Sequence, residues 1–306
     1  SGQSGTGITL IKRALKISPN HPDFLRNLGN ILRESGQFEE ATRICQYIIQ
    51  LQPESAEMYT LLGLTLRDSM QFEEAVQAYF QAIRINPVYD DVYNHLGNVL
   101  QEQGKLEESV QTYHKAIAIN PEHAEAYNNL GNVLQKQCKL EESIQAYHKA
   151  IAINPEYAQA FSNFGEVLKR RGEFQPAVQA YHQAIKIDPK YAEAHNNLGL
   201  VLLLTGDFEI GWKECEWRWK CPEFPSRTPN FPQPIWKGQD ICEKTILVWG
   251  EQGVGDRIMF VSLLPKLQFQ ANQVLVVTHQ RLVPLFRRSF PKISFFGLQN
   301  TPNCPL

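Results

Sequence analysis

Apolar side chains recur along most of the chain at the spacing of one helical face. Between residues 124 and 155 they occupy Tyr127, Leu130, Val133 and Leu134, then Leu140, Ile144, Tyr147, Ile151 and Ile153. Spacings of three and four residues place such side chains on one side of an α-helix. The segment therefore predicts two amphipathic helices, which we call helix A and helix B.

This pair of helices is predicted to repeat every 34 residues. A proline marks each copy, at Pro19, Pro53, Pro87, Pro121, Pro155 and Pro189. A glycine keeps the same period, at Gly29, Gly63, Gly97, Gly131, Gly165 and Gly199. Residues 8–18 match helix B alone, so the array is expected to begin with a lone helix B. A fixed period of this length is typical of a stacked array of helical hairpins.

Small residues at corresponding positions along helix A and helix B predict that the two helices of each copy approach each other closely. Gly131 in helix A corresponds to Ser143 in helix B, and Tyr147 is expected to fill the space beside them. Because glycine inside a helix costs about 1 kcal/mol relative to alanine, we expect Gly131 to have a packing role. The whole pattern resembles the tetratricopeptide repeat (TPR) over roughly residues 8–219. The resemblance implies a right-handed α-solenoid whose helices A line a concave groove.

The hydrophobic pattern changes after residue 219. Five prolines between Cys221 and Pro234 predict an extended linker over residues 220–243. Beyond it, apolar runs predict strands at Lys244–Gly250, Val274–Thr278 and Ile293–Phe296, with helices at Ile258–Gln268 and Leu282–Ser289. Strands that alternate with helices indicate a parallel, Rossmann-like sheet covered on both faces. Residues 244–306 are too few for a complete doubly wound domain, so we expect a partial α/β domain after a mainly α array at residues 1–219.

Composition narrows the function classes without naming one. A net charge of −2 and a pI near 6.5 give no reason to expect a nucleic-acid partner. No apolar run reaches the ~18 residues that a membrane span needs. The six cysteines form no CxxC pair, which favours free thiols in a reducing cytoplasm. We expect neither a metal nor a cofactor in this chain.

Asparagines recur on helix A and predict a peptide-binding surface. The residues assigned to this surface are Asn27, Asn30, Asn94, His95, Asn98, Asn128, Asn129, Asn132, Asn163 and Asn197. Asparagine is a mediocre helix former, and its amide can both donate and accept a hydrogen bond from an extended peptide backbone. The run Asn128–Asn132 is similar to repeats of protein O-GlcNAc transferases, and that resemblance implies the same task. The alternative is that duplicated copies inherited these asparagines without a function, and Leu61 interrupts the series.

A glycine-rich turn after the first predicted strand carries the candidate chemistry. Its run Gly250-Glu251-Gln252-Gly253-Val254-Gly255-Asp256 is a poor dinucleotide fingerprint because the third glycine is absent. With its flanking elements it resembles the N-terminal lobe of heptosyltransferase-type GT-B glycosyltransferases. That resemblance implies an acceptor turn at Gly253 and Gly255, with Asp256 as general base. The alternative is that Asp256 only caps its helix.

These observations predict a TPR module that recruits a polypeptide to a glycosyltransferase-like domain. A sugar nucleotide would bind only in a complete parent protein, because GT-B enzymes hold it in a second lobe. We therefore expect no turnover by this chain alone. The competing interpretation is a non-catalytic interaction scaffold with an inert α/β remnant.

Overall fold

The computed structural model describes residues 2–222, 224, 233–250 and 254–297, with the backbone alone for residues 2–6 and 254–256. The chain divides into two compact units, residues 1–218 and residues 219–306. Each unit has its own core.

The first unit is an array of helical hairpins. Its helices are α1 (Gly2–Ile17), α2 (Pro22–Glu34), α3 (Phe38–Leu51), α4 (Ala56–Asp68), α5 (Phe72–Ile85), α6 (Asp90–Glu102), α7 (Leu106–Ile119), α8 (Ala124–Lys136), α9 (Leu140–Ile153), α10 (Ala158–Arg171), α11 (Phe174–Ile187), α12 (Ala192–Thr205) and α13 (Phe208–Cys215). The even-numbered helices from α2 to α12 are helices A, and the odd-numbered helices from α3 to α13 are helices B. Helix α1 is the lone helix B, but it begins at Gly2 although the glycine-rich segment before residue 8 is a poor helix former.

The turn between helices A and B follows one path in every copy. Gly172 and Gly206 end their helices in the left-handed conformation, with φ of 84° and 92°. Met70 and Cys138 occupy the same register and adopt φ of 65° and 61° without being glycine. Left-handed φ is unfavourable for a residue with a Cβ. Packing of the repeats therefore imposes the turn where the local sequence disfavours it.

The turn from helix B to the next helix A depends on the residue before the period proline. Asn120 Oδ1 accepts a hydrogen bond from the Glu122 amide at 3.0 Å, and Asp188 Oδ1 accepts one from the Lys190 amide at 2.9 Å. A side chain that bonds the backbone two residues on closes an Asx turn around the proline. This explains why asparagine or aspartate stands there in four copies, at Asn86, Asn120, Asn154 and Asp188.

Close helix contact confirms the packing role predicted for the glycines in helix A. A Cβ added at Gly131 would lie 2.6 Å from Tyr147 Cε1, and one at Gly97 would lie 2.6 Å from Tyr113 Cε1. Both tyrosines are fully buried. Ser143 Oγ also donates to Gly131 O at 2.8 Å, so a small polar residue joins the helices at this point. The four hairpins from the second to the fifth copy are therefore built around a tyrosine ring that lies on a glycine.

The helices A form the inner side of the array. Each packs directly against the helix A of the next copy, from α2 with α4 through α10 with α12. Successive helices B make at most slight contact with each other within the described residues. Since stacked hairpins that are closer on one side must curve toward that side, helices A line the inner face.

The sixth copy is closed by a cluster of aromatic and polar side chains instead of a small residue and a proline. His195 stands where Tyr93 and Tyr127 stand in earlier copies. Its Nδ1 lies 2.5 Å from Glu214 Oε2, and its Nε2 lies 3.2 Å from Pro189 O. The Trp217 ring stacks on the imidazole with centroids 4.0 Å apart. These contacts hold the short helix α13 against α12.

The second unit contains a parallel three-stranded sheet. Its strands are β1 (Thr245–Trp249), β2 (Gln273–Thr278) and β3 (Ser294–Gly297), in that spatial order. The three predicted strands are thus present, each within one or two residues of its predicted bounds. Val274, Val276 and Phe295 form the core on one face of the sheet, with Phe286 from the last helix.

The helices of this unit differ from the prediction. The segment expected to be one helix is two, α14 (Val254–Val261) and α15 (Leu264–Gln270), and the last helix is α16 (Val283–Ser289). Pro265 lies in the first turn of α15, where its missing N–H leaves no helical bond unmade. Helix α14 also begins before Gly255, so Gly255 is helical and does not lie in a turn.

Candidate functional site

The predicted peptide-binding residues lie on helices A, but they do not share one environment. Asn94 and Asn128 are fully buried, with no exposed surface. Their assignment as peptide contacts was therefore wrong, because a ligand in the groove cannot reach them. The side chains of Asn98, Asn129, Asn132 and Asn163 are partly exposed.

Four of these asparagines form a ladder that joins successive copies. Asn129 Nδ2 donates to Asn94 Oδ1 at 3.0 Å, and Asn163 Nδ2 donates to Asn128 Oδ1 at 3.0 Å. Asn128 Nδ2 in turn approaches Asn129 Oδ1 at 3.4 Å. An intramolecular hydrogen bond of this kind contributes on the order of 1 kcal/mol net. The ladder thus gives these amides a role within the array that the sequence did not reveal.

A second pair of asparagines is oriented by buried tyrosines. Tyr113 Oη donates to Asn98 Oδ1 at 2.6 Å, and Tyr147 Oη donates to Asn132 Oδ1 at 2.7 Å. Burial raises the pKa of both phenols well above the ordinary value, so both hydroxyls keep the proton that they donate. Each amide oxygen therefore faces the core. Neither Nδ2 has a hydrogen-bond partner among the described residues, and both remain available as donors on the inner face.

Sequence reasoning missed Tyr113 and Tyr147 as site residues, although a signal was present. Each tyrosine follows its asparagine by 15 residues, across the turn between helices A and B. The same spacing brings Tyr181 Oη to Glu166 Oε2 at 3.4 Å. In three successive copies, a polar residue in helix A thus contacts the tyrosine that follows it by 15 residues in helix B.

Both series of contacts are interrupted at the second copy, where Leu61 and Leu64 replace asparagine. Within the described residues Tyr79 Oη in the second copy is buried without a hydrogen-bond partner, and so are Asn94 Nδ2 and His95 Nδ1 in the third copy, where His95 replaces asparagine. Burial lowers the pKa of His95, against a smaller opposing effect of Glu125. His95 therefore lies in the series as a neutral ring with an unsatisfied nitrogen.

Replacing His95 by asparagine is expected to stabilise the array by about 1–2 kcal/mol, because the new amide can accept from Asn94 as Asn129 accepts from Asn128. The substitution should also reduce the pH dependence of stability. Unfolded His95 binds a proton below its ordinary pKa of about 6.5, whereas the buried ring does not, so wild-type stability falls as the pH drops below that value. Urea unfolding at about pH 7.5 and 5.5 measures both effects.

His114→Asn is the matched control, because this histidine is exposed on α7. It should leave the stability and its pH dependence close to those of the wild type. A His95→Asn protein that is less stable, or equally sensitive to acid, would contradict the account of the interrupted ladder.

The remaining predicted asparagines lie near the ends of the array. Asn27 is exposed, and Asn30 and Asn197 are partly exposed. The structure gives these three no side-chain hydrogen bond within the described residues. It therefore does not bring them into the ladder.

Asp90, Asp91 and His123 bring three potential metal-ligand atoms within 4.8 Å of one another. His123 Nδ1 accepts from the Ala126 amide at 3.4 Å. Its Nε2 lies 3.2 Å from Asp91 Oδ1 but makes no hydrogen bond among the described residues. The arrangement is that of a histidine at a helix start that lies beside an aspartate of the preceding copy.

The candidate chemistry of the second unit is described only in part. Gly253 and the side chain of Asp256 lie outside the described residues, and the Asp256 backbone is in the first turn of α14. The position of the Asp256 carboxylate is therefore not described, and its role as a general base stays a prediction. Among the described helices none is long and apolar enough to cross a membrane.

Comparison with known families gives consistent matches in the first unit. Models described as TPR repeat match residues 65–104, 97–137 and 165–206. Models described as tetratricopeptide repeat match residues 124–157 and 1–64. The protein FlbA of Caulobacter vibrioides is 36% identical over 88 residues, which are 27% of this chain and 14% of FlbA. The chain thus spans only a small part of the curated relative that it matches.

Solved structures agree on the fold. The Pseudomonas aeruginosa PilF structure has a TM-score of 0.57 at 21% identity, covering 63% of this chain and 88% of PilF. The Cut9–Hcn1 structure from the APC/C has a TM-score of 0.61 at 16% identity, covering 71% of this chain and 43% of that one. At these identities the likeness concerns the helical array alone. With the 34-residue period and the family models, it shows that the first unit of this chain is built of tetratricopeptide repeats.

Proposed function

We propose that the first unit binds an extended polypeptide segment along its inner face, and that Asn98 and Asn132 donate hydrogen bonds to its main-chain carbonyls. The two side chains occupy the same register in adjacent copies. The observation that carries the proposal is the tyrosine contact of each asparagine, which turns the amide oxygen inward and leaves the Nδ2 group without a partner in the described part of the chain. A fixed donor that contacts only the peptide backbone binds without reading sequence.

The proposal divides the predicted residues into two groups. Asn98 and Asn132 are the peptide contacts, while the ladder of Asn94, Asn128, Asn129 and Asn163 fixes the spacing between copies. A constant spacing matters because successive donors must match the repeat of an extended chain. Donors held in place before binding lose little conformational entropy when the peptide arrives.

Replacing Asn98 and Asn132 together by aspartate is expected to weaken peptide binding by about 30-fold, through the loss of two hydrogen bonds of about 1 kcal/mol each. Aspartate has the shape of asparagine and keeps an oxygen for the tyrosine hydroxyl, so the fold should persist. The measurement is isothermal titration of the full chain with a peptide selected from a random displayed library.

The matched control adds the same charge on the outer side of the array. Gln111→Glu with Gln145→Glu changes two exposed residues of α7 and α9 and should leave the affinity within about twofold. Equal weakening by the control pair would mean that charge alone determines binding. Unchanged affinity in the aspartate pair would remove these asparagines from the site.

A second candidate function concerns the second unit. We infer that it is the first part of a GT-B-like lobe, and that the repeats, similar to those of O-GlcNAc transferases, recruit a polypeptide acceptor to it. What favours this is the parallel order β1-β2-β3 with intervening helices, as in open α/β domains that bind ligands at the carboxyl ends of their strands. In that case Asp256 serves as general base in transfer from a sugar nucleotide. The alternative remains a scaffold whose α/β part is inert.

Sugar transfer by the full gene product to the selected peptide distinguishes the two possibilities. Transfer that is lost in Asp256→Asn supports the enzyme, provided that peptide affinity is unchanged. Absence of transfer with intact peptide binding supports the scaffold.

A reducing, cytoplasmic location accords with the free thiols of Cys45, Cys138, Cys215, Cys221 and Cys242.

A further inference from the structure

The inner face of the array changes from polar to apolar along one register of the helices A. Asn98, Asn132, Glu166 and Leu200 occupy this register in four successive copies. Leu200 is 42% exposed, and Leu204, one helical turn later on α12, is 67% exposed. Side chains four residues apart lie on the same side of a helix. The row of polar side chains therefore ends, in the sixth copy, at two neighbouring leucines that are exposed to solvent.

Two cations precede these leucines on the same side of the helices A. Lys136 on α8 and Arg170 on α10 occupy the register of Leu204, and both are exposed. Among the described residues neither of them pairs with a carboxylate. Arg170 Nη1 lies 3.5 Å from Gln135 O instead, which directs its guanidinium toward α8. Since Glu102 takes this register on α6, the two cations stand between an acid and the leucines.

Other acids on α9, α10 and the turn before α11 already have partners of their own. Glu166 pairs with Lys169 Nζ at 2.5 Å, and Glu141 and Glu173 both pair with Arg171. These contacts leave the two cations on α8 and α10 available, within the part of the chain that the structure describes. Exposed cations without a counter-ion attract the carboxylates of a ligand.

The spacing of the helices A determines how a peptide can reach these side chains. Helix α10 packs directly against both α8 and α12, and the axes of packed helices lie about 8–10 Å apart. A polyproline II chain advances about 9 Å in three residues, which is one full turn, so it presents every third side chain to one surface. A β-strand repeats on one side at about 7 or 13 Å. The polyproline II repeat therefore matches the helices, and the β-strand repeat does not.

We propose that the polypeptide bound along the inner face adopts the polyproline II conformation and has an acidic residue over α8, another over α10 and an apolar residue over α12. These three residues are each three positions apart. The acids pair with Lys136 and Arg170, and the apolar side chain is buried against Leu200 and Leu204. This inference rests on the binding along the inner face proposed above, and adds a selection of side chains to it.

Fluorescence anisotropy of labelled synthetic peptides with the full chain, at low ionic strength, tests the proposal. The two probes carry two glutamates and one leucine at every third position, separated by alanine and proline, with the leucine last in one probe and first in the other. The better binder should lose about tenfold in affinity when alanine replaces its leucine. It should lose about threefold for each glutamate replaced by glutamine. A peptide with the same three residues at every second position should bind at least about tenfold more weakly.

Variants of the protein assign each contact. Leu200→Asn with Leu204→Gln makes the sixth copy polar like the earlier ones, so the leucine and alanine peptides should then bind within about twofold of each other. Lys136→Gln with Arg170→Gln should likewise remove the preference for glutamate over glutamine. The control is Lys149→Gln, which removes an exposed cation from α9 and should leave every affinity within about twofold.

Three results would overturn the proposal. They are no measurable binding of either probe, equal affinity for peptides with the two spacings, and a leucine preference that survives in the variant with a polar sixth copy. The aspartate pair at Asn98 and Asn132 separates this proposal from the amide donors. Selective binding that the aspartate pair leaves unchanged supports the side-chain contacts and removes the amide donors. Binding that needs the amides but ignores the side chains of the peptide retains the donors and overturns the selection.

Discussion

Replacing Gly131 by alanine is expected to destabilise the array by about 2–3 kcal/mol. The added Cβ would lie 2.6 Å from Tyr147 Cε1, 2.8 Å from Cζ and 2.9 Å from Cδ1. The ring cannot move away, because Tyr147 is fully buried and its hydroxyl is bonded to Asn132. This steric cost should exceed the gain of about 1 kcal/mol that alanine brings inside a helix. Urea unfolding followed by circular dichroism measures the difference.

The first copy provides a matched control at the same register. Gly29 faces Cys45 where the next four copies have tyrosine, and an added Cβ there would lie no closer than 3.3 Å to any neighbour. Gly29→Ala should therefore be neutral or stabilise by up to about 1 kcal/mol. Equal destabilisation by the two substitutions would show that the ring contact is not what requires glycine.

Replacing Asn128 by alanine is expected to cost about 2–4 kcal/mol, because it removes the acceptor of Asn163 and the donor to Asn129 at a fully buried position. Two partly buried amides are then left with unpaired atoms. The loss should appear both as a lower urea midpoint and as faster amide hydrogen exchange in α8 and α10, the helices that the ladder joins.

Ser162 occupies the same register as Asn128 in the next copy and is also buried. No side-chain hydrogen bond is recorded for it among the described residues, so Ser162→Ala should change stability by less than about 0.5 kcal/mol. If Asn128→Ala were as mild as Ser162→Ala, the ladder would contribute nothing to the array.

Much of the fold follows from the sequence for identifiable reasons. The 34-residue period fixes the hairpins, and the spacing of apolar residues within them fixes which side of each helix is buried. The three apolar runs after residue 244 similarly predict β1, β2 and β3. The division between α14 and α15 was missed because Pro265 was read as part of a continuous helix. Proline is tolerated in a first turn, so it also marks a helix start.

The site was less predictable than the fold. Asn128 and Asn129 are neighbours in sequence, yet a step of one residue turns a side chain by about 100° around a helix. One amide therefore enters the core and the other faces the groove. Because both residues are asparagine, the sequence does not show which of them is buried. The contacts of Asn132 with Tyr147 and of Asn98 with Tyr113 depend on how two elements meet. Such contacts follow from tertiary packing and not from periodicity.

The assignment of Asn98 and Asn132 as peptide donors is tested most directly by NMR of the side-chain amide groups during titration with the selected peptide. The account predicts large shifts of the Nδ2–H signals of Asn98 and Asn132, because each gains a carbonyl acceptor. The Nδ2–H signals of Asn129 and Asn163 should stay nearly unchanged, since both groups already donate within the ladder. Unmoved signals for Asn98 and Asn132 at saturating peptide would contradict the account.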